Sequence, residues 1–527
     1  MLPKKREKMG RRTSNIIDRL LSRELAILEE ATIQKYASSS LRNSLENLQT
    51  SPNHCLHFYT DAADILIPVF STKFSKRACN GQALACVDEE GYLTVVDTRK
   101  WLHTIPRETD TRAYRLDEWR EPAAWKNKAA LSTLVHQNAI FDVCWLGTTD
   151  QQIATASGDQ TIRITDTTTW DHVNSLIGHR GSVKVVRELP LSDGKILGSA
   201  GRDGNVMLWD TRCPAKSTFL GQNYAISPVL SLQQVHSPSY ASPLQDRVTK
   251  RRRTSSALDM RPQNEASTSY GVTGMAFHPQ SDGHLLFTSG AVDGSVKLWD
   301  IRKISSTSKE VEFLAVCHPG CDEELTSRPH GISSIQMDSN GRYLLACSTD
   351  SRVYLYDPSR IEWGACTILT GGQNMSFYVK CDFSPDGNFV VTGSCNSKAY
   401  IWYLGQNRST ESCLYPFLEL EGHQGEVSDV AWCRTEPELI ATSGDDCMVS
   451  LWQGPRLRQM MKTSSCVTNS PINATRLYWA DSVKVDTPSR KRQRREGDDS
   501  RTPLQLKSIT EYFNRVSPCS SETKEYK

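Results

Sequence analysis

Short runs of apolar and β-branched residues, separated by turn residues, repeat along most of the chain. One example pairs Ile153 to Ser157 with Thr161 to Thr165 across a tight turn that holds Asp159. Another apolar run, Ile140 to Trp145, lies just upstream. Runs of this length and composition are typical of β-strands, and a tight turn between two of them is typical of an antiparallel hairpin. The pattern therefore predicts a chain built mainly from short antiparallel strands.

The same unit recurs along the chain. Its clearest copies run from Gly198 to Asp210 and from Thr288 to Asp300, and each has an Asp six residues before a Trp. The same six-residue spacing occurs at Asp159 before Thr165, Asp350 before Tyr356 and Asp446 before Trp452. Weaker copies are Glu90 before Val96 and Asn396 before Trp402. Seven repeats predict seven small sheets in a closed ring, because an open edge strand would expose unpaired backbone groups. We expect the stretch from about Cys55 to Phe70 to supply the strand that closes the ring.

These repeats, two of which open with a Gly-His pair at residues 178–179 and 422–423, resemble the WD-repeat β-propeller. We therefore predict an all-β fold, a seven-bladed WD-repeat β-propeller over residues 55–453. Residues 1–54 form a basic, amphipathic N-terminal extension with a predicted helix at 14–36. Two polar segments, an insertion at 214–270 and the C-terminal tail at 454–527, are predicted to be disordered.

The Asp of each repeat has a structural explanation. In its turn, Asp can accept hydrogen bonds from backbone amides and from the His that opens the unit, while a Ser or Thr and the following Trp complete the network. A set of this kind holds the blades of a WD-repeat ring together and is not aligned for nucleophilic attack. The residues assigned to this structural role are His179, Ser199, Asp203, Asp293 and Asp446.

No motif for catalysis stands out in the sequence. The chain lacks a Gly-x-Ser-x-Gly elbow, a phosphate-binding Gly loop and a His-Glu-x-x-His pair. It also lacks a Cys-x-x-Cys pair, and the spacing of Cys317 and Cys321 is poor for zinc. We therefore expect a protein that is not an enzyme and that binds neither a metal nor another cofactor.

The overall charge does not point to nucleic acid or to a membrane. The 62 Lys and Arg residues nearly balance the 60 Asp and Glu residues, which leaves a formal charge of +2. No stretch reaches the ~18 uninterrupted apolar residues of a membrane span, and the basic N-terminus lacks the apolar run of a secretory signal. We expect the protein to stay inside the cell, with its 16 cysteines present as buried thiols.

Two local basic clusters lie outside the repeats. We name them the insertion cluster, which is Lys250, Arg251, Arg252 and Arg253, and the tail cluster, which is Arg490, Lys491, Arg492, Arg494 and Arg495. Such runs resemble nuclear import signals, so the sequence predicts a nuclear protein. The alternatives are solvated charged loops and weak, salt-sensitive contact with DNA phosphates.

The third and fourth repeats end in the same kind of tetrapeptide, Trp209-Asp210-Thr211-Arg212 and Trp299-Asp300-Ile301-Arg302. An Arg just after that strand leaves the sheet at the rim of the ring, where its planar guanidinium suits bidentate contact with carboxylates or carbonyls. The doublet resembles the box by which WD-repeat receptors dock on the damaged-DNA-binding protein 1 adaptor of cullin-4 RING ubiquitin ligases. The alternative is a salt bridge at the rim. The resemblance assigns adaptor binding to Trp209, Asp210, Arg212, Trp299, Asp300 and Arg302.

A second motif lies in the tail, from Leu506 to Phe513. In a single helical turn, Ile509, Tyr512 and Phe513 converge into an apolar plug on an otherwise polar segment. The motif resembles the peptides that dock on the replication clamp, proliferating cell nuclear antigen, although Leu506 stands where those peptides have Gln. Clamp binding is therefore predicted for the three apolar residues, and the alternative is a chance pair of aromatic residues.

Four further runs, at 156–161, 201–213, 289–303 and 377–380, resemble the denticleless family. The resemblance implies the substrate-recognition subunit of a cullin-4 RING ubiquitin ligase, whose ring docks on the adaptor and whose tail binds the clamp. It also implies clamp-bound substrates, such as the replication licensing factor and cell-cycle proteins. Because degrons of this family carry basic residues, we expect an acidic or carbonyl-rich pocket on the other face of the ring.

Two other functions fit parts of the sequence. A nuclear chromatin or histone-assembly scaffold would need only the propeller and the basic clusters. A propeller enzyme would rest on the Asp and His content alone. Partner binding that depends on Arg212 and Arg302 would separate the ligase receptor from the scaffold.

Overall fold

The computed structural model describes the repeats and short segments on either side of them. The described residues are 40–50, 55–58, 66–103, 114–115, 130–214, 216–217, 224–237, 270–304, 313–318, 330–405, 413–461 and 472–477. All of them belong to one structural unit, Met1–Trp479. A second unit, Ala480–Lys527, lies outside the described residues.

The described part of the chain is built mainly from short strands. In chain order they are β1 (Gln49–Thr50), β2 (Cys55–His57), β3 (Val69–Phe74), β4 (Ala83–Asp88), β5 (Tyr92–Asp97), β6 (Tyr114–Arg115), β7 (Ala130–Leu134), β8 (Ile140–Leu146), β9 (Gln152–Ser157), β10 (Thr161–Asp166), β11 (His172–Ile177), β12 (Val183–Glu188), β13 (Ile196–Gly201), β14 (Val206–Asp210), β15 (Lys216–Ser217), β16 (Tyr224–Ile226), β17 (Leu230–Leu232), β18 (Val272–Phe277), β19 (Leu285–Gly290), β20 (Val296–Asp300), β21 (Ala315–Cys317), β22 (Ile332–Met337), β23 (Leu344–Ser348), β24 (Arg352–Tyr356), β25 (Thr367–Leu369), β26 (Cys381–Phe383), β27 (Phe389–Thr392), β28 (Lys398–Tyr403), β29 (Cys413–Leu414), β30 (Leu418–Glu421), β31 (Val427–Trp432), β32 (Leu439–Gly444), β33 (Met448–Gln453), β34 (Ile472–Asn473) and β35 (Thr475–Arg476). The labelled helices are α1 (Thr98–His103) and α2 (Pro455–Met461), residues 40–45 are also helical, and 3-10 turns lie at Ala78–Gly81, Pro279–Ser281, Ile301–Lys303 and Pro358–Trp363.

The strands form seven sheets, which are the blades of a propeller. Blades 1 to 7 have the strand orders β3-β4-β5-β7-β6, β8-β9-β10-β11-β16-β15, β12-β13-β14-β17, β18-β19-β20-β21, β22-β23-β24-β25-β29, β26-β27-β28-β30-β35 and β31-β32-β33, the last joined by β2, β1 and β34. The first strand of each blade contacts the first strand of the next, and β31 of blade 7 contacts β3 of blade 1. This closed cycle confirms the predicted seven-bladed propeller.

Blade 7 is completed by a strand from the other end of the ring. β2 pairs antiparallel with β33, so that Cys55 lies opposite Ser450 and Leu56 lies opposite Val449. Leu56 is 3 % exposed and packs in the core that blades 1 and 7 share. The prediction that the stretch after Cys55 closes the ring is confirmed, and the closure covers the edge of β33.

Part of the predicted disordered insertion is ordered. Residues 224–237 fall inside the predicted range of 214–270, yet β17 forms the fourth strand of blade 3 by pairing with β14. Leu232 and Val235 are buried against Trp299 of blade 4, and this apolar contact explains the order. The prediction of disorder is therefore wrong for these residues. The insertion cluster lies outside the described residues.

The start of the predicted disordered tail is also ordered. α2 buries Leu457 in the core of blades 1 and 7, and β34 and β35 pair with β1 and β30. The prediction of disorder from residue 454 onward is thus wrong for 454–461 and 472–477. On the N-terminal side, residues 40–45 are helical, and Leu45 and Leu48 are fully buried against blades 6 and 7. The helix predicted at 14–36 lies outside the described residues.

Six of the seven innermost strands bulge at the same place, near their first residues. A bulge turns one side chain out of the regular ladder. Three of these side chains reach the next blade directly: Thr273 Oγ1 donates to the Ile332 carbonyl at 2.5 Å, Ser333 Oγ donates to the Val379 carbonyl at 2.8 Å, and Ser428 Oγ donates to the Val69 carbonyl at 3.1 Å. The residues at the six bulges are Phe70, Phe141, Lys184, Thr273, Ser333 and Ser428.

Buried charges also join the blades at the centre of the ring. Asp429 of blade 7 accepts hydrogen bonds from Ser71 Oγ and the Thr72 amide of blade 1, both at 2.8 Å. Lys380 of blade 6 donates to Asp429 at 3.3 Å and to the carbonyls of two bulge residues, Phe70 and Phe141, at 3.1 Å each. Burial alone would raise the pKa of the Asp429 carboxyl, but the nearby lysines hold that pKa below its ordinary value. One lysine therefore ties blades 1, 2, 6 and 7 together.

The Asp429 contact generates a prediction about stability. The substitution Asp429→Asn should lower the free energy of unfolding by about 3 kcal/mol, because it leaves the largely buried Lys380 ammonium without its closest carboxylate. Thermal and urea unfolding measure the change. Glu421→Gln is the matched control, because Glu421 pairs with Lys398 at 2.7 Å at a site where its side chain is 55 % exposed. The control should cost less than about 1 kcal/mol. Equal losses for the two variants would contradict the central role of Asp429.

Candidate functional site

Blade 3 contains the complete polar network predicted from its sequence. His179 Nδ1 donates to Asp203 Oδ2 at 3.1 Å, and Ser199 Oγ lies 2.7 Å from His179 Nε2 and accepts from Trp209 Nε1 at 2.8 Å. Burial alone would raise the pKa of Asp203, but its hydrogen bonds from His179 and backbone amides keep that pKa below its ordinary value. The hydrogen bonds of this set all lie within blade 3, so the arrangement is structural.

Blade 4 contains the same network with a His that sequence reasoning missed. His236 Nδ1 donates to Asp293 Oδ2 at 2.8 Å, and Thr288 Oγ1 lies 3.0 Å from His236 Nε2. Burial lowers the pKa of His236, so the ring is neutral at physiological pH. His236 was missed because it lies inside the segment predicted to be disordered. The alternation Leu230-Ser-Leu232 just before it is the signal that could have found a strand there.

Blades 2 and 7 repeat the network around His136 and His423. His423 Nδ1 lies 2.9 Å from Asp446 Oδ2, and His136 Nδ1 lies 2.8 Å from Asp159 Oδ2. In each blade the His precedes the first strand and the Asp lies in the turn before the third strand. These turns therefore mark one face of the ring, which we name the turn face.

The Trp residues of the doublet do not reach the surface. Trp209 and Trp299 are both 0 % exposed, and Trp299 Nε1 donates to Thr288 Oγ1 at 2.9 Å inside blade 4. A partner cannot touch a side chain that is fully covered by its own blade. The two Trp residues therefore fix the end of the third strand and cannot contact a partner directly, while adaptor binding by the motifs that contain them stays a prediction.

Asp210 and Arg212 form a forked ion pair at the surface of blade 3. Arg212 Nε donates to Asp210 Oδ1 at 2.8 Å, and Arg212 Nη2 donates to Asp210 Oδ2 at 2.6 Å. These hydrogen bonds hold the pKa of the Asp210 carboxyl below its ordinary value. The Arg212 side chain is nevertheless 62 % exposed. The carboxylate thus fixes the guanidinium in place without covering it.

Blade 4 repeats this fork. Arg302 Nε and Nη2 donate to the two oxygens of Asp300 at 3.0 and 2.9 Å, and the Arg302 side chain is 61 % exposed. Asp300 is 6 % exposed, so its role is to hold the Arg302 guanidinium in place. Both arginines follow the third strand of neighbouring blades, β14 and β20, and leave the ring at the end opposite the turn face. We name this end the arginine face.

Other predicted sites lie outside the described residues. These are the clamp-binding residues Ile509, Tyr512 and Phe513, the insertion cluster and the tail cluster. Within the described ranges, no group of three His, Cys, Asp or Glu side chains is arranged to hold a metal ion. No helix among the described residues is long and apolar enough to cross a membrane.

Comparison with known proteins agrees with the repeat pattern. The family model described as "WD domain, G-beta repeat" matches residues 129–166, 170–210, 262–300, 322–357, 367–403 and 414–453. These six matches cover blades 2 to 7, and the weaker repeat of blade 1 is not among them.

Most of the chain is also similar in sequence to a set of related proteins. The chain is 31 % identical over 437 residues to the Denticleless protein homolog of Danio rerio, which covers 82 % of this chain and 58 % of that protein. The homologs of Gallus gallus and Homo sapiens are 30 % and 29 % identical over 86 % and 82 % of this chain. This chain belongs to the denticleless family of WD-repeat proteins. It spans about half the length of the family members that it matches.

The His236 network generates a prediction for this member of the denticleless family. His236→Ala should lower the free energy of unfolding by about 2 kcal/mol, because Asp293 and Thr288 lose a buried hydrogen-bond partner. His172→Ala is the control, since His172 is exposed and bonds locally to Ser175; it should cost less than about 0.5 kcal/mol. Thermal unfolding measures both. A His236 variant as stable as the control would show that residues 224–237 do not support blade 4.

Proposed function

We propose that the chain is the substrate-recognition subunit of a cullin-4 RING ubiquitin ligase and that its arginine face docks on the damaged-DNA-binding protein 1 adaptor. The observation that carries the proposal is the pair of forked, exposed arginines, Arg212 and Arg302, on neighbouring blades. Membership of the denticleless family supports the same role.

The geometry of each fork favours docking on carbonyls and carboxylates. A guanidinium has five N–H donors, and the Asp of the fork uses two of them. The other three have no hydrogen-bond partner among the described residues and remain exposed for a partner. Because the Asp already holds the side chain, binding costs less rotamer entropy than it would for a free arginine. An internal salt bridge and a docking contact are therefore compatible.

The arginine face generates a prediction about adaptor binding. The double substitution Arg212→Ala/Arg302→Ala should weaken adaptor binding roughly 100-fold, because two charged contacts at the centre of the interface are lost. Surface plasmon resonance with purified adaptor measures the affinity. The double Lys variant keeps the charge but loses the fork, and it should also bind more weakly.

The control for this prediction is Arg360→Ala. Arg360 also follows a third strand, β24 of blade 5, and it lies in the exposed 3-10 turn at Pro358–Trp363. It should bind the adaptor like the wild type. Undiminished binding by the Arg212/Arg302 variant would exclude the docking role and favour the scaffold, especially if histone or DNA binding survived the same changes.

The tail extends the proposal to the replication clamp. Ile509, Tyr512 and Phe513 would anchor the receptor on proliferating cell nuclear antigen, and the substrates would be replication licensing and cell-cycle proteins on the same clamp. A tether of this kind raises the effective concentration of the receptor near its substrate, to the order of millimolar for short linkers. The two basic clusters would direct the receptor to the nucleus, where the clamp acts.

The tail motif generates its own prediction. Exchange of Ile509, Tyr512 and Phe513 for Ala should weaken clamp binding roughly 30-fold or more, because the apolar anchors are lost. Fluorescence polarisation of a labelled tail peptide with purified clamp measures this change. Exchange of Gln505 for Ala is the control and should have little effect. Clamp binding that is equal for the triple variant and the wild type would refute the tether but leave adaptor docking intact.

A further inference from the structure

Blade 3 carries one large apolar side chain that is almost fully exposed. Leu191 lies in the loop between β12 and β13, residues 189–195, and it is 83 % exposed. No other large apolar side chain that the structure describes is more exposed. β12 starts at the turn face, just after His179, so this loop lies at the opposite end of the blade. Leu191 is therefore on the arginine face, together with Arg212 and Arg302.

The backbone at Leu191 has a conformation that leucine does not favour. The Ser192 amide donates to the Leu189 carbonyl at 3.2 Å, which closes a β-turn with Pro190 and Leu191 at its centre. The φ of Leu191 is 63°. Proline at the second position and a positive φ at the third are typical of a type II turn, whose third residue is usually Gly or Asn. The fold would accept Asn at least as well, so the exposed leucine needs an explanation outside the fold.

The loop that holds Leu191 is joined to the fork of blade 3. The carbonyl of Lys195, at the end of the loop, accepts from the Thr211 amide at 2.9 Å and from Thr211 Oγ1 at 3.2 Å. Thr211 lies between Asp210 and Arg212, the two residues of the fork. The exposed leucine and the exposed guanidinium thus belong to one hydrogen-bonded unit.

Other hydrogen bonds fix the loop between blades 2 and 3. Asp193 Oδ1 accepts from the Thr148 amide at 2.9 Å and from Thr148 Oγ1 at 3.1 Å, and Thr148 belongs to blade 2. The Gly194 amide donates to Glu188 Oε1 at 2.6 Å. Leu191 is therefore held at a fixed place. A partner that covers it does not have to order the loop, which lowers the entropic cost of binding.

Blade 4 packs against the same loop. A Cβ at Gly283 would come within 2.6 Å of Leu189 Cδ1, so the first loop of blade 4 lies directly on Leu189. The next residue, His284, accepts at its carbonyl from the Ile301 amide at 3.0 Å, and Ile301 directly precedes Arg302. The loop and both forks therefore form one connected surface. We name it the platform, and its exposed groups are Leu191, Arg212 and Arg302.

We propose that Leu191 is an apolar anchor for the adaptor and packs in an apolar pocket of that partner, beside the contacts of Arg212 and Arg302. The inference rests on the proposed function, because it takes the adaptor to be the protein on the arginine face. The adaptor is the occupant because the loop of Leu191 is continuous with the forks. The inference goes further by adding to the interface a residue that lies outside the two Trp-Asp-x-Arg motifs. Such an anchor supplies apolar burial, which the charged forks cannot.

Adaptor binding by the full-length chain tests the inference. Leu191→Asn should weaken binding to purified adaptor roughly tenfold in surface plasmon resonance, because the interface loses a buried apolar side chain. Leu134→Asn is the matched control. Leu134 is 49 % exposed and lies opposite Tyr92 at the end of β7 that is near the turn face, so this variant should bind like the wild type. Equal binding by Leu191→Asn and the wild type would overturn the inference.

Salt dependence separates the apolar contact from the charged ones. An increase of NaCl from about 0.1 M to about 0.5 M screens charges but does not weaken apolar burial. The loss of affinity caused by Arg212→Ala/Arg302→Ala should therefore shrink, while the loss caused by Leu191→Asn should stay roughly tenfold. A Leu191→Asn effect that disappears at the higher salt concentration would mean that the substitution acts through the fork, and it would overturn the anchor.

Thermal unfolding separates the anchor from a structural role. Leu191→Asn should unfold at the same temperature as the wild type or at a higher one, because Asn adopts a positive φ more readily than leucine does. A lower unfolding temperature would mean that Leu191 supports the fold, and it would overturn the proposal.

The Arg212/Arg302 variant distinguishes the possible failures. Adaptor binding that is lost in this variant but unchanged in Leu191→Asn would overturn the anchor and leave the proposed function intact. A wild type that does not bind the adaptor would overturn the proposed function, and it would exclude the adaptor as the partner of Leu191. Self-association of the wild type that Leu191→Asn abolishes, measured by light scattering, would identify a second copy of this chain as the occupant and would overturn the assignment to the adaptor.

Discussion

The structure depends on the contacts that join the innermost strands across blade boundaries. Each blade is a small sheet, and outside that sheet its first strand has neighbours because other blades lie beside it. Asp429 and Lys380 are central among these contacts, since both are largely held away from bulk solvent, Asp429 bonds to blade 1 and Lys380 bonds to blades 1, 2 and 7. The bulges add hydroxyl groups that reach the next blade, such as those of Ser333 and Ser428. A closed ring leaves no blade free to tilt by itself, so these contacts also fix the relative positions of all the surface turns.

The two faces of the ring carry different residues because they lie at opposite ends of the third strands. Each third strand has a turn at its start and an exit loop at its end, so the residues before the strand and those after it reach opposite faces. In blades 3 and 4 the exit loops present Arg212 and Arg302, already oriented by their own aspartates. In blades 1 and 7 the turns present Glu89 and Asp445. The turns of blades 1 and 7 thus carry acids and the exit loops of blades 3 and 4 carry arginines, although the chain as a whole is nearly neutral.

Much of this architecture could be predicted from the sequence because the repeat is local. An Asp six residues before an aromatic or β-branched residue marks a turn and the strand after it, and both depend on neighbours in the chain. Composition was a poorer guide, because the polar surroundings of Leu230 to His236 hid a strand that is ordered by contact with blade 4. The contact of Trp209 with Ser199 could be predicted, because the repeat places both in the network around Asp203. The charges that act on Asp445 come partly from Glu89, more than 300 positions away, and no local pattern connects the two residues.

The carboxylates of Glu89, Glu426, Asp445 and Asp446 lie close enough together to lower the stability of the folded chain. A carboxyl whose pKa is raised to about 7 destabilises the folded chain at neutral pH, because the unfolded chain would hold it ionised more easily. Asn at Asp445 would have nearly the same shape without that cost, so packing alone does not explain the acid.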